Sequence, residues 1–239
     1  MPRPATRKGA KTVAAKPPAA ARPRTARAQQ AQAIRERLFE AAADVVGRVG
    51  YAEASITLIT QKAGVAQGTF YNYFASRQDL LDRLLPALGE HMLAHVARCA
   101  AGGTNFVEIE ERAFRGFFSF LRETPAFLRI LNEAESYAPK GYKRHFDHVT
   151  KVYVKFLRRS LANGEFPGYA DRDLEPVVFM LMAARSYLAM RYIGKSRRKT
   201  LIPESVVATY MKCVRFGLQG HAAPVKRATG VRPKARGVT

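Results

Sequence analysis

Apolar residues recur at helical spacing along most of the chain, and no stretch shows the strict alternation of a half-buried strand. Glycines, prolines and cap residues separate the apolar stretches from one another. The pattern predicts an all-α protein of about nine helices. The expected helices span 28–49, 55–64, 66–74, 76–100, 104–122, 125–136, 140–162, 173–193 and 203–219.

The segment from Ser55 to Arg77, SITLITQKAGVAQGTFYNYFASR, predicts two short helices joined by a tight turn. Ser55 is a natural N-cap, and Gly64 suits the left-handed conformation that ends a helix. Ser76 is placed to cap the long helix that follows. Two helices joined in this way form the smallest unit that places side chains in the major groove of DNA.

The second helix of this unit divides by angle into a core side and an outer side. At about 100° per residue, Phe70 and Phe74 lie together and are expected to face the core. Asn72 lies nearly opposite, beside Gly68 and Thr69. An ordinary helical hairpin with a solvated outer face is the alternative interpretation of this segment taken alone.

Residues Ala63 to Arg77, AGVAQGTFYNYFASR, resemble the TetR family of bacterial transcriptional regulators. The family pattern is close to A-G-V-S-x-G-T-x-Y-x-Y-F-x-x-K followed by a leucine pair, here Leu80 and Leu81. The resemblance covers roughly residues 33–85 and implies an N-terminal three-helix, helix-turn-helix domain. It also implies a larger helical domain for ligand binding and dimerisation.

The resemblance carries DNA-contacting roles onto particular positions. It implies phosphate contacts for Ser55 and Arg77, and backbone contacts for Tyr71 and Tyr73. The residues expected to approach the bases are Gln67, Gly68, Thr69 and Asn72. Two positions depart from the family pattern: Ala66 stands where a serine usually caps the recognition helix, and Leu58 stands where a charged or polar residue is usual.

The predicted domains are a helix-turn-helix domain over 28–80, with its motif at about 55–74, and a ligand-binding and dimerisation domain over 81–220. They are flanked by basic tails, 1–27 and 221–239, which are predicted to be disordered. The net charge is +21, and residues 1–28 and 221–239 contain eight and five Lys or Arg without an acidic residue. Arg22, Arg24 and Arg27 suggest an arm that reaches a minor groove or the flanking DNA backbone. The alternatives are a solubility tail, a start site placed too far upstream, or a transit peptide.

The stretch 173–193 is apolar on every side, so it predicts a helix that packs on its own core and on a second subunit. With a seam on the last helix, it predicts a four-helix dimer interface, as in TetR-like proteins. The alternative is a fully internal core helix. The interface residues expected are Phe179, Met182, Tyr187, Val207, Met211, Val214 and Leu218.

Aromatic residues crowd the middle of the chain and are mostly expected in the core. A helical domain of this kind can still hold an apolar ligand cavity, as the resemblance suggests. Arg185 is expected either to neutralise an acidic ligand or to form an ion pair across the dimer, and the second interpretation is favoured. The expected pocket residues are Phe114, Phe117, Phe118, Tyr137, Phe146, Tyr153 and Arg185.

Catalytic, metal-binding and membrane signals are weak or missing in the sequence. No nucleophile motif, phosphate loop or dinucleotide fingerprint occurs, so we predict neither an enzyme nor a cofactor. His91, His95 and Cys99 have helical spacing, and His145 and His148 form a pair, but neither group makes a complete metal site. Redox sensing by Cys99 is a further alternative. With Cys213, it gives too few cysteines for a disulfide framework.

These observations predict a cytoplasmic, bacterial, homodimeric transcriptional repressor, associated with the nucleoid when bound. It would bind a near-palindromic operator and leave it when a small lipophilic effector binds. No membrane association is expected, because the longest apolar run is far shorter than the roughly 20 residues of a membrane span. The rival interpretations are a nonspecific basic DNA-binding protein and a helical small-molecule-binding protein or enzyme.

Overall fold

The computed structural model describes residues 24–193 and 202–218, with side chains described for 28–193 and 202–217. These residues form nine α-helices and no strand, which confirms the predicted fold class. The helices are α1 (Arg24–Val49), α2 (Ile56–Ala63), α3 (Gln67–Phe70), α4 (Arg77–Ala100), α5 (Phe106–Glu123), α6 (Ala126–Tyr137), α7 (Pro139–Ala162), α8 (Leu174–Tyr192) and α9 (Glu204–Cys213).

Two compact units divide the chain, the first ending at Glu36 and the second beginning at Arg37. In the first unit the described residues belong to α1, where Gln32 donates a hydrogen bond to Glu36 one turn further on. The second unit holds the rest of α1 and the helices α2 to α9. The predicted domain boundary between residues 80 and 81 stays a prediction.

The first part of the helix-turn-helix folds as its cap residues predict. Ser55 Oγ accepts a hydrogen bond from the amide of Leu58, 3.2 Å away, and so caps α2. Gly64 ends α2 at φ 63°, a left-handed conformation that favours glycine. The side chain of Ile59 is fully buried, which fixes the inner face of α2.

The second helix is shorter than the predicted 66–74. α3 ends at Phe70, and the next residues form turns in which the Asn72 amide bonds to the Thr69 carbonyl and the Tyr73 amide to the Phe70 carbonyl. Ala66 has the extended backbone of an N-cap but no side chain to accept a hydrogen bond. Glycine, threonine and aromatic residues are also poor helix formers, so little favours a longer helix here.

The aromatic pair of this segment nevertheless lies where its spacing predicts. Phe70 and Phe74 are buried, and their ring centroids lie 5.4 Å apart. The ring of Phe39, on α1, meets Phe74 edge to face at 5.3 Å. This aromatic contact joins α1 to the turn that follows α3.

α4 begins immediately after the helix-turn-helix and extends into the larger helical region. The Ser76 hydroxyl accepts from the Asp79 amide at 3.1 Å, as its position in the sequence predicts. Leu81, Leu84 and Met92 are buried along the helix. Its main neighbours are α5 and α7, so one helix links the helix-turn-helix to the rest of the unit.

α8 is buried on one side and exposed on the other. Val177, Val178 and Leu181 are buried in the subunit, whereas Phe179 and Tyr187 are 46% and 71% exposed. Because both sides are apolar, the exposed side is a candidate interface and α8 is not a fully internal helix.

The seam on the last helix is where the predicted interface needs correction. Val207, Met211 and Val214 are at most 7% exposed, because α9 turns this face toward the subunit's own core. The prediction that they form an intersubunit seam is therefore wrong. Leu218 lies outside the described side chains.

None of the described helices is both long and apolar enough to span a bilayer. The predictions for the basic tails 1–27 and 221–239, including the arm with Arg22, Arg24 and Arg27, fall outside the described side chains.

Candidate DNA-reading surface and ligand cavity

The residues expected to read DNA are brought together around α3. Gln67, Gly68 and Asn72 are exposed, and Tyr71 is 56% exposed although its neighbour Phe70 is fully buried. Thr69 and Tyr73 are half-buried beside them, and Ser55 is exposed at the start of α2. The turns after Phe70 change the angles assumed for an ideal helix but leave Asn72 and Tyr71 accessible.

Gly68 has room for a side chain in the free protein. A Cβ built at this position would meet no other atom within 4 Å. The packing of the subunit therefore does not require glycine, and its backbone leaves space for a close approach from outside. Such an approach is what a groove-binding surface needs at the start of its reading segment.

Arg77 has a structural role that the sequence did not indicate. Its Nε donates to the carbonyl of Ala54 at 2.6 Å, and Nη2 donates to the carbonyls of Ala52, at 3.1 Å, and Tyr51. These bonds hold the loop between α1 and α2 against the start of α4. Contact between Arg77 and a phosphate stays a prediction.

The larger helical region contains a partly open apolar cavity of about 380 Å³, bordered by α4 to α8. Its apolar lining includes Met92, Leu93 and Val96 of α4, Ile109 and Phe117 of α5, Phe127 and Leu131 of α6, Val149, Val152 and Phe156 of α7, and Met182 of α8. The volume and the apolar lining suit a small lipophilic ligand.

Of the seven residues predicted to line a ligand pocket, four border the cavity and three do not, and ligand binding there stays a prediction. Phe117, Phe146, Tyr153 and Arg185 line the cavity. The corrected residues pack elsewhere: Phe114 stacks on Tyr210 with centroids 4.0 Å apart, Phe118 packs against Phe114, and Tyr137 stacks on Tyr51. All three aromatic side chains find partners in the core or at the helix-turn-helix, so none borders the cavity.

A buried carboxylate that the sequence analysis missed lies in the cavity wall. Glu110 is fully buried, and its Oε1 accepts from Arg185 Nη2 and the Tyr210 hydroxyl, both at 2.5 Å. Its Oε2 accepts from the Tyr153 hydroxyl at 2.6 Å. The sequence held a signal for this group, because Glu110 lies one turn from both Phe106 and Phe114 on the apolar face of α5.

Arg185 therefore pairs inside its own subunit, and the prediction that it pairs across a dimer is wrong. Its guanidinium carbon lies 5.1 Å from the centre of the Tyr153 ring, and Nη2 donates to the Tyr153 hydroxyl at 3.1 Å. Burial disfavours the charged guanidinium, but the Glu110 carboxylate outweighs it and raises the pKa of Arg185. Burial also raises the pKa of Tyr153 and Tyr210, so both hydroxyls stay protonated donors.

His145 borders the same cavity from α7. Its imidazole packs over Gly89 of α4, where an added Cβ would overlap the ring. Burial, with a smaller contribution from His148, lowers the pKa of His145 to about 4. The residue is therefore a neutral part of the lining at neutral pH.

The histidines and the cysteine suggested by helical spacing do not converge. His95 Nε2 lies 2.7 Å from the Ser119 hydroxyl of α5, while His91 and Cys99 are exposed. His148 pairs with Glu90 at 3.1 Å. Within the described residues, no three His, Cys, Asp or Glu side chains are arranged to hold a metal ion.

An open groove of about 480 Å³ lies between α7 and α8. Phe179 and Met182, both expected at the dimer interface, line it together with Phe146 and Tyr142. Tyr187 is exposed further along α8. The predicted interface residues that are accessible in the subunit thus all lie on α8.

The exposed surface around α3, followed by a helical region that contains an apolar cavity, defines a helix-turn-helix protein. Residues 38–84 match the family model described as bacterial regulatory proteins, tetR family. This match covers 38–84 alone, so it identifies that part of the chain, which contains α2 and α3, as a segment of the TetR type.

The relatives are transcriptional regulators. The chain is 45% identical over 60 residues to the regulator YvdT of Bacillus subtilis, covering 25% of this chain and 29% of YvdT. It is 26% identical over 132 residues to the repressor KstR of Mycolicibacterium smegmatis, covering 55% of this chain and 64% of KstR. The chain thus spans less than two thirds of either relative.

Solved structures share the fold over most of the chain. The fatty acid degradation regulator FadR of Bacillus halodurans has a TM-score of 0.65 at 19% identity, covering 75% of this chain and 93% of that one. FadR of Bacillus subtilis, solved in complex with stearoyl-CoA, has a TM-score of 0.63 at 18% identity, covering 77% and 98%.

Proposed function

We propose that this protein is a dimeric transcriptional repressor that binds a near-palindromic operator and releases it when a small lipophilic effector occupies the cavity. The observation that carries the proposal is α4, which begins beside the DNA-reading residues and borders the cavity with Met92, Leu93 and Val96. We infer a regulatory and not an enzymatic role, exercised at the chromosome in the cytoplasm.

The DNA-binding half of the proposal rests on the exposed residues of α3 and its following turn. Gln67 and Asn72 offer amide groups suited to base edges, and the Tyr71 hydroxyl is accessible to a phosphate. The excess of basic residues adds affinity without sequence preference, and that affinity decreases as salt rises.

The effector half rests on the volume and apolar lining of the cavity. FadR of Bacillus subtilis was solved with stearoyl-CoA, and this chain shares its fold. That relationship, together with the aromatic and aliphatic lining, supports an effector with a long apolar portion. Occupation of the cavity would shift α4 and change the distance between the two reading surfaces of a dimer.

The dimer rests on the exposed apolar side of α8. Phe179, Met180, Tyr187 and Met190 are each more than a third exposed on one helix. A twofold contact along α8 would cover this side and leave both reading segments free. Such a dimer would recognise two half-sites of one operator.

The test is a binding assay on DNA that flanks the protein's own gene, against a random duplex of equal length, across a range of salt concentrations. We expect a protected site with higher affinity than the random duplex, and release of that site by a lipophilic effector. Equal affinity for both duplexes would favour a nonspecific basic DNA-binding protein.

A paired substitution assigns the specific binding to the reading segment. Tyr71→Ala with Asn72→Ala is expected to remove preference for the protected site while leaving the fold intact, because both side chains are exposed. Lys151→Ala on α7 is the matched control, since it removes an exposed charge away from α3. Unchanged specificity in the double variant would contradict the assignment.

A further inference from the structure

The apolar cavity reaches solvent between the C-terminal part of α4 and the second half of α7. Four of its lining residues are exposed, namely Ala97 and Ala101 at the end of α4, and Val152 and Arg159 on α7. The other lining residues are buried or half-buried. These four residues are named the mouth of the cavity.

The packing of α4 against α7 explains why the mouth lies here. Near the start of α7 the two helices touch, because a Cβ added to Gly141 would overlap the carbonyl oxygen of Asp82. One helical turn further along α7, a Cβ added to Gly89 would overlap the imidazole of His145. Beyond this level, residues of both helices border the cavity instead. The helices therefore diverge toward their C-terminal ends, and the mouth lies in the gap.

Arg159 is the charged side chain of this mouth. Among the side chains that the structure describes, none forms a hydrogen bond or an ion pair with its guanidinium. Its neighbour Arg158, in contrast, donates a hydrogen bond to Asp171 Oδ2 at 3.0 Å. The charge of Arg159 is thus available to a ligand at the mouth.

Arg159 also ends a positively charged stripe on the exposed side of α7. Lys151, Lys155 and Arg159 follow one another at one-turn spacing, and all three are exposed. Within the described part of the chain, none of the three pairs with an acidic side chain. Asp147, the acidic residue of α7, pairs with Lys143 at 2.6 Å. The α7 side of the mouth therefore carries a positive potential, which attracts anions.

We propose that the effector is an anionic amphiphile, whose carboxylate or phosphate head binds Arg159 at the mouth while its apolar chain fills the cavity. This assignment deepens the proposed function and rests on the cavity being the effector site. The lining extends along α7 from Arg159 back to His145, fourteen residues earlier. At 1.5 Å per helical residue this is about 21 Å, which leaves room for an extended chain beneath the head.

The buried polar cluster in the cavity wall does not suit an anionic head. Glu110 already neutralises Arg185 there, and a second negative charge beside Glu110 would be unbalanced in an apolar wall. At the mouth, the head keeps part of its hydration while the guanidinium donates hydrogen bonds to its oxygens. The acidic ligand group that the sequence led us to expect at Arg185 is thus assigned to Arg159.

The experiment measures binding of three probes with the same apolar chain to the full-length protein: dodecanol, dodecanoate and dodecyl phosphate. Each is titrated below the concentration at which it forms micelles, by displacement of an environment-sensitive fluorescent lipid at a pH where dodecanoate is ionised. We expect the three probes to compete with one another, because they share the chain. The two anions distinguish a carboxylate head from a phosphate head, and binding of either one through Arg159 supports the proposal.

The decisive variant is Arg159→Gln, which keeps a polar side chain but removes the charge. It is expected to weaken anion binding about fivefold, the worth of an accessible ion pair, and to leave dodecanol binding within about twofold. High salt is expected to reduce this difference, because salt screens accessible charges. Arg159→Lys, which keeps the charge, is expected to lose less anion affinity than Arg159→Gln.

Lys151→Gln is the matched control. It removes an exposed charge of the same stripe, two turns from Arg159 and outside the cavity lining. We expect the affinity for every probe to stay within about twofold of the wild type. Both positions are exposed, so circular dichroism is expected to show that all variants fold.

The outcomes separate this inference from the proposed function. Unchanged anion binding in Arg159→Gln, an equal loss of dodecanol and the anions there, or an equal loss of anion binding in Lys151→Gln would overturn it. Binding by none of the probes would also overturn it, while leaving operator recognition unaffected. If an anion binds through Arg159 without releasing the operator, the effector role fails and the assignment of Arg159 stands.

Discussion

The backbone amide of Tyr51 donates a hydrogen bond to Glu133 Oε2 over 2.9 Å, joining the loop after α1 to α6. Arg129, one turn earlier on α6, bonds Glu133 Oε1 at 2.7 Å and the carbonyl of Arg48 at 2.8 Å. The guanidinium thus meets free carbonyls at the C-terminal end of α1, where positive charge is favourable. Because α6 also borders the cavity, this contact forms a second link between the cavity and the helix-turn-helix, beside α4.

Substitution of Glu133 tests this link. Glu133→Ala leaves the Tyr51 amide without its acceptor, so we expect the free energy of unfolding to decrease by about 1–3 kcal/mol. We also expect a lipophilic effector to release the operator less completely. Urea denaturation and an operator-release assay measure the two effects. Glu135→Ala, an exposed neighbour on the same helix, is the control, and an equal loss there would argue against a specific link.

Because of His145, the free energy of unfolding is expected to decrease at acidic pH. Its pKa is about 4 in the folded protein, against an ordinary value of 6.5. Between pH 6.5 and 4, the His145 side chain is therefore protonated in the unfolded chain but remains neutral in the folded chain. The free energy of unfolding decreases as the pH falls through this range. The loss is about 3 kcal/mol at 1.36 kcal/mol per pKa unit.

The measurement is urea denaturation at a series of pH values. We expect His145→Gln to flatten the slope between pH 6.5 and 4, whereas His148→Gln, on an exposed ring paired with Glu90, keeps it. An unchanged slope in His145→Gln would assign the acid sensitivity to other groups.

Ala66 leaves α3 without a side-chain N-cap, so a residue that supplies the cap is expected to stabilise the protein. Its backbone already has N-cap geometry, with φ −66° and ψ 146°, but it offers no side-chain acceptor to the first turn of α3. Ala66→Ser is expected to raise the free energy of unfolding by about 0.5–2 kcal/mol and to tighten operator binding. Thermal denaturation and operator titration measure these changes, with Ala66→Val as a control that lacks a hydroxyl. A gain shared by both variants would exclude the cap as its cause.

At Arg77, the geometry of the guanidinium is expected to contribute more to folding stability than its charge does. Arg77→Lys keeps the positive charge but loses the fork that bonds the carbonyls of Ala52 and Ala54. We expect a loss of about 2 kcal/mol in the free energy of unfolding, measured in urea without DNA. Wild-type stability combined with weaker, less salt-dependent DNA binding would instead show that Arg77 mainly contacts phosphate.

If the exposed apolar side of α8 forms the dimer interface, a charged residue placed on that side should make the protein monomeric. Tyr187→Glu is expected to abolish dimers while preserving the helical circular dichroism spectrum, because the side chain is 71% exposed. Val207→Glu is expected to unfold the chain, because Val207 is only 1% exposed and cannot solvate a carboxylate. Sedimentation and circular dichroism separate the two results. A dimeric Tyr187→Glu variant would place the interface elsewhere.

Local chemistry explains why the helix ends were predictable. Ser55, Gly64 and Ser76 act through their own turns, and each caps or ends a helix as its residue type indicates. Phe70 and Phe74 were also predictable, because spacing alone places both on one side of the chain. The end of α3 was missed, since a helix without a cap and with weak formers ends according to what its neighbours permit.

The sequence by itself determined the all-α fold, the helix-turn-helix and most helix boundaries, because these depend on periodicity and on contacts a few residues apart. Only the tertiary structure decided which aromatic residues border the cavity, that Arg185 pairs with Glu110, and that Val207 faces inward. Glu110 and Arg185 are far apart in the chain, and an apolar helix face does not disclose its partner. Their meeting depends on how α5 and α8 pack, which no local pattern specifies.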